Sequence, residues 1–174
     1  MATGEAKERP TQVGRLIIIG VGNRHRGDDG AGPAVSAYLR DKAPKGARVV
    51  DRDGEAARLI ETWKDADAVI LIDAVSSNAP PGTIHEIDAG ESTVPPDLFA
   101  CSTHSFGVAE AVELSRALGS LPGVFWIYGI EGAEFAAGAD FSAEVKAAIE
   151  DTGRRVLERA NRIVGAGTDD REKD

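Results

Sequence analysis

Three short apolar runs, set far apart along the chain, constrain its fold more than any other feature. Residues 15–20 read RLIIIG, 67–73 read DAVILID and 123–129 read GVFWIYG. Each is rich in branched or aromatic side chains, too short for a buried helix, and bounded by glycine or aspartate. Each is therefore expected to be a strand covered on both faces. The segments between them have helical spacing. Residues 30–41 carry Pro33 in a first turn, where a missing N–H is no loss. Residues 55–64 place Leu59, Ile60 and Trp63 on one face, and 105–118 carry a stripe of Val108, Ala111, Val112 and Leu118. Residues 142–164 read as a long amphipathic helix with Ser142 as its N-cap. Two further strands are expected at 47–51 (ARVVD) and 82–88 (GTIHEID), the second alternating as a strand near a sheet edge does. Residues 91–97, with Pro95 and Pro96, read as loop.

Strands alternating with helices predict a three-layer α/β/α fold around a mostly parallel sheet of about five strands. The direction of 82–88 is open, and one antiparallel strand there is compatible with the pattern. A chain of 174 residues suits a single domain. It is placed at 15–164, between a disordered leader (1–14) and a disordered acidic tail (165–174). No apolar run approaches the ~20 residues of a membrane helix, and the N-terminus lacks the apolar stretch of a secretory signal. The expectation is a cytoplasmic protein with no membrane partner. A net charge of −9 argues against a nucleic-acid footprint. The single cysteine, Cys101, leaves no intramolecular disulfide or all-cysteine metal site, and reads as a small apolar filler.

In such folds ligands bind beyond the carboxyl ends of the strands, where strand order reverses. Asp28 and Asp29 follow the first strand in GVGNRHRGDDGAG, Asp73 ends the third, and His104 precedes the 105–118 helix. All open onto one crevice if the topology is as read. Two or three carboxylates and an imidazole suit either a first-row divalent metal or general acid–base work, and spacing does not separate the two. A single aspartate would suffice to favour a helix start; two in a row ask for a further role. Asp73, set in AVILIDAV, is expected to be partly buried and to need a partner. His25 and His85 read as loop and strand-surface residues.

Gly20 and Gly22 resemble the start of a dinucleotide fingerprint, and Asp51 stands where a ribose contact would. His25 occupies the third glycine position, and two acidic groups sit where a pyrophosphate would lie, so that reading is set aside. A phosphoacceptor receiver domain also places acidic residues at these strand ends around Mg²⁺. It needs a lysine after the last central strand, where this chain has IEGAEF, and it leaves His104 without work.

The blocks GVGN–RHRGDDGAG, LIDAVSS, STHSFGVAEAVEL, IYGIEGAEF and FSAEVKAAIE together resemble the hydrogenase maturation proteases. These are endopeptidases that remove a C-terminal extension from the large subunit of nickel–iron hydrogenase. The resemblance spans most of the chain. It implies that Asp29, Asp73 and His104 contact nickel and carry the hydrolysis, with Gly22, Asn23 and Asp28 supporting the first loop. The family often has glutamate where this chain has Asp29. The resemblance further implies that nickel is recognised in the precursor and is not held tightly by the resting protease. A carboxylate acting on water is an open role for Asp28 or Asp29. A relative that grips a metallated partner without cutting it is the alternative.

Overall fold

The computed structural model describes residues 14–99 and 107–166. The five strands are β1 (Leu16–Val21), β2 (Arg48–Arg52), β3 (Ala68–Val75), β4 (Ile84–Asp88) and β5 (Val124–Glu131). The helices are α1 (Ala31–Leu39), α2 (Ala56–Trp63), α3 (Val108–Ala117) and α4 (Ala143–Ala166). The sheet order is β2-β1-β3-β5-β4. All pairs are parallel except β4 with β5. The alternating 82–88 segment is thus the antiparallel edge strand that the pattern left open. A receiver domain would have an all-parallel sheet, so the antiparallel edge also removes that rival.

Both faces of the sheet are covered, which is why its central strands are apolar throughout. One core packs Ile17, Ile19, Val69, Leu71, Phe125 and Ile127 against α2 and α3, and Trp63 meets Phe125 edge-on at 5.0 Å between ring centroids. Buried Trp63 keeps its indole N–H satisfied by donating to Ser115 Oγ at 3.1 Å. The opposite core packs Ile18, Ile70, Ile72, Tyr128 and Ile130 against α1 and α4. Helix α1 comes close to the sheet because Gly32 carries no side chain. A Cβ there would stand 2.2 Å from the Val21 carbonyl oxygen and 2.5 Å from that of Ile72.

Local signals set most of the element ends. Glu55 caps α2 by accepting the N–H groups of Ala57 and Arg58. Glu110 reaches back to accept the N–H of Gly107 at 2.9 Å, ahead of α3. Ser142 caps α4, its Oγ accepting the Val145 N–H at 3.4 Å. Some ends differ from expectation. β3 runs to Val75, so Asp73 lies inside the strand and does not end it. Ala74 and Val75 continue the ladder against Ile130 and Glu131, so β5 too ends two residues later than expected. Residues 91–97 hold, at their end, the start of a 3₁₀ turn over Pro96–Phe99. α4 continues to Ala166, past the expected start of the tail. No helix among the described residues is long and apolar enough to cross a membrane.

Candidate active site

The chain leaves β1 through Gly22, whose φ of +132° is closed to most side chains. A Cβ at this position would lie 1.9 Å from the Asp29 carbonyl oxygen. Gly22 is therefore needed both for the turn and for the closeness of the returning loop. Asn23 follows and folds the loop on itself. Its Oδ1 accepts the His25 N–H at 2.9 Å, and its own N–H donates to Asp29 Oδ2 at 3.1 Å. A 3₁₀ turn over Gly27–Gly30 then carries the two aspartates into α1.

The two neighbours point to different work. Asp28 is fully buried. Its Oδ2 accepts the N–H of Ala133 at 2.8 Å, the N–H of Glu134 at 2.9 Å and the Ser142 hydroxyl at 2.8 Å. Its Oδ1 accepts the Ser142 N–H at 2.7 Å. Burial alone would push its pKa up; these four donors outweigh that and hold it below the ordinary value. Asp28 is a clamp that ties the β1 loop to the β5–α4 connection and to the start of α4. Four hydrogen bonds from three residues hold its carboxylate among the donors of that connection. Asp29 is half-buried, on the crevice side.

Asp73 is 7% exposed and accepts the Ala74 N–H at 2.8 Å. It sits in β3 opposite Gly129. Burial, and then the charge of nearby Asp29, hold its carboxyl well above the usual range, with the Ala74 N–H opposing. Asp29 and Asp73 are thus close enough to feel each other, although they are remote in sequence. They meet between β1 and β3, where strand order reverses, the place where α/β sheets take ligands. Two carboxylates so placed oppose each other's ionisation, which adds to burial in keeping Asp73 protonated to higher pH. His104 and Cys101 lie outside the described residues. Among the described residues no three metal-ligating side chains converge.

A groove of about 900 Å³ opens from Asp29 past the ends of β1 and β2 to α2, lined in part by Asn23, His25, Asp51, Arg52 and Arg58. Asp51 is not free for a ribose. Arg24 and Arg40 pair with it at 2.6 and 2.7 Å, and the Ser36 hydroxyl donates to its other oxygen. Burial would raise its pKa, but Ser36 and the two arginines hold it below the ordinary carboxylate value. Two features went unread in the sequence. Glu131, 2% exposed at the end of β5, accepts the Ser77 N–H at 2.6 Å, the Ser77 hydroxyl at 2.8 Å and His85 Nε2 at 3.1 Å. His85 is therefore a half-buried partner of that carboxylate, not a plain surface residue. Arg52 stands in the groove wall; its signal was the run of charge in VVDRD at a strand end.

Fold and site together define an α/β domain with a carboxylate pair at the reversal point of its sheet. The family model described as hydrogenase maturation protease matches residues 34–159, and the chain belongs to that family. The hydrogenase expression/formation protein HupD of Thiocapsa roseopersicina is 28% identical over 149 residues, 83% of this chain and 65% of its own length. The HoxM protein of Azotobacter vinelandii is 28% identical over 148 residues, 82% of this chain and 70% of its own length. The chain thus spans about two thirds of the length of these relatives. Among solved structures, an endopeptidase from Escherichia coli is 26% identical with a TM-score of 0.73, covering 85% of this chain and 92% of its own. The hydrogenase maturating endopeptidase HybD of Escherichia coli, at 20% identity and a TM-score of 0.69 over 85% of this chain and 93% of its own, shares the fold.

Proposed function

We propose that this chain is an endopeptidase that removes the C-terminal extension of a nickel–iron hydrogenase large-subunit precursor after nickel insertion. In this reading Asp29, Asp73 and His104 meet nickel that the precursor carries, and the chain works in the cytoplasm. The observation that carries the reading is the meeting of Asp29 with buried Asp73 at the sheet's reversal point, in a chain of this family. Oxygen and imidazole donors suit a first-row divalent ion. Two carboxylates that repel each other also gain most from a cation brought between them. Nickel in the substrate would supply that positive charge beside the bond to be cut. The chain's own carboxylates do the proton work. One accepts a proton from the water that adds to the scissile carbonyl, and a proton is returned to the departing nitrogen as the C–N bond breaks. The raised pKa of Asp73 favours this exchange, because it brings that carboxyl nearer neutral pH.

The test is incubation with nickel-loaded and nickel-free precursor, read by mass. The loaded form should lose its extension and the nickel-free form should persist. Asp29→Ala, Asp73→Ala and His104→Ala should each abolish processing in a folded protein. Equal cleavage of the nickel-free form would end the nickel-recognition reading. A stable complex with uncut loaded precursor would identify a binding module instead.

A further inference from the structure

The groove beside Asp29 holds three arginines, and their charges are not used alike. Arg24 is paired with Asp51 at 2.6 Å. Arg58 is paired with Asp53 at 3.0 Å and lies 3.9 Å from Glu55. Arg52 differs. Its Nε donates to Thr62 Oγ1 at 2.8 Å and its Nη1 to the main-chain carbonyl of Asp51 at 2.7 Å. Neither acceptor carries a charge, and no carboxylate pairs with Arg52 among the described residues. Of five guanidinium N–H groups two are used, and the Nη2 pair has no partner among those residues.

This cation is also held in place. The Thr62 hydroxyl that receives Nε donates in turn to the Arg58 carbonyl at 2.7 Å, so it cannot turn away. The guanidinium plane is fixed at two points, and the side chain is half-buried. A half-buried, pre-oriented guanidinium with spare donors is an unmet demand for a planar anion, and a carboxylate answers it with paired charge-assisted bonds. The position matters as much. The Arg52 carbonyl accepts the N–H of Gly22 at 3.0 Å, and Gly22 is the residue packed against Asp29. An extended peptide advances about 3.3 Å per residue and neighbouring strands lie about 4.8 Å apart. A substrate strand at Asp29 therefore comes to Arg52 within a few residues.

We propose that Arg52 is a specificity-determining residue of the processing site: its guanidinium, fixed by Thr62 and the Asp51 carbonyl, takes a carboxylate from the precursor's C-terminal segment close to the scissile bond. The inference rests on the processing function above. The carboxylate comes either from an acidic side chain near the cleavage point or from the free end of the extension. Both have the same chemistry, and the substrate arms of the test tell them apart.

The experiment is steady-state processing of nickel-loaded precursor by the full-length wild type, Arg52→Met and Arg52→Lys, with thermal melts as the folding control. Loss of charge-assisted bonds used for binding should raise KM about tenfold or more in Arg52→Met and leave kcat within about twofold. Arg52→Lys should fall between, since it keeps the charge and loses the fork. Two altered precursors are run beside the native one. In one the acidic side chains within three residues of the cleavage point are replaced by amides; in the other the terminal carboxylate is amidated. One of these changes should raise KM with wild type and have no further effect with Arg52→Met, which names the source. Unchanged KM in a folded Arg52→Met, or full multiplication of its effect with both substrate changes, overturns the proposal. Affinity for intact precursor is measured in parallel. If wild type binds but does not cut, the processing reading fails. Arg52 is then still judged by whether Arg52→Met weakens binding about tenfold or leaves it unchanged.

Discussion

Replacing Asp28 with alanine removes the acceptor for four donors at once, and the loss can be worked from the geometry. The side chain is fully buried and receives the N–H groups of Ala133, Glu134 and Ser142 and the Ser142 hydroxyl, all between 2.7 and 2.9 Å. The hydroxyl can turn to another acceptor; the three N–H groups cannot. A hydrogen bond to a charged acceptor contributes about 1.5 kcal/mol at the low end of its range, so three amount to about 4–5 kcal/mol. Ala133 and Glu134 are exposed residues, and water reaching their N–H groups returns part of this. The expected loss is about 3 kcal/mol, a fall of roughly 6–12 °C in Tm for a chain of this size. Asp28→Asn keeps one accepting oxygen and aims an NH₂ at former donors, so it should lose about 2 kcal/mol. Urea unfolding followed by far-UV circular dichroism at neutral pH measures both, with an unchanged m confirming that the same surface unfolds. A loss below about 1 kcal/mol in Asp28→Ala would refute the clamp. So would an Asp28→Asn protein of full stability that no longer cuts, since that outcome assigns Asp28 to the chemistry.

The depressed pKa of Asp51 means that the folded state binds its proton less readily than the unfolded chain does. Its contribution to stability is full above the unfolded value near 3.8 and is lost as pH falls from there through the lower folded value. Asp51→Asn should flatten that acid limb in denaturation curves taken between pH 5 and 2.5; an unchanged limb would count against the ion-pair cluster. Thr152 Oγ1 is a buried polar atom with no hydrogen-bond partner among the described residues. Thr152→Val keeps the shape and removes the unmet group, so the same unfolding assay should show no loss, or a gain of about 0.5–1 kcal/mol. A loss above about 1 kcal/mol would mean that the hydroxyl is bonded after all.

The sheet was legible because its central strands are buried on both faces, and that condition writes itself as unbroken aliphatic runs. The edge strand β4 was legible in kind, since alternation in GTIHEID marks one-sided burial, but its direction depends on its pairing with β5, a contact the local pattern does not encode. The end of β3 was misplaced for a related reason. Aspartate is a common strand stop, and only the ladder to Ile130 and Glu131 shows that this one lies inside the strand. At the site, the adjacent aspartates were visible, but their different surroundings were not. Asp28 is satisfied by residues 105 to 114 positions away. Arg52 was unreadable for the same kind of reason: its lack of a carboxylate among the described residues follows from how Arg24, Arg40 and Arg58 divide Asp51 and Asp53 among themselves.

In the proposed function Asp28 anchors the loop and Asp29 carries chemistry, and that division lets a site stand on a loop. A carboxylate meant for chemistry must be held in place. Asp29 is positioned in part by its backbone: Gly22 lets the loop come close, Asn23 donates one N–H to its carboxylate, and Asp28 anchors the next turn to β5 and α4. Asp28 thus takes up the demand of the surrounding donors and turns its charge toward them. The charge that Asp73 feels is that of Asp29. With the two roles fused in one residue, the same donors that fixed the loop would lower that residue's pKa and blunt it as a base. On the proposed function, two consecutive aspartates separate anchoring from reactivity, which gives the doublet in RGDDGAG a physical reason.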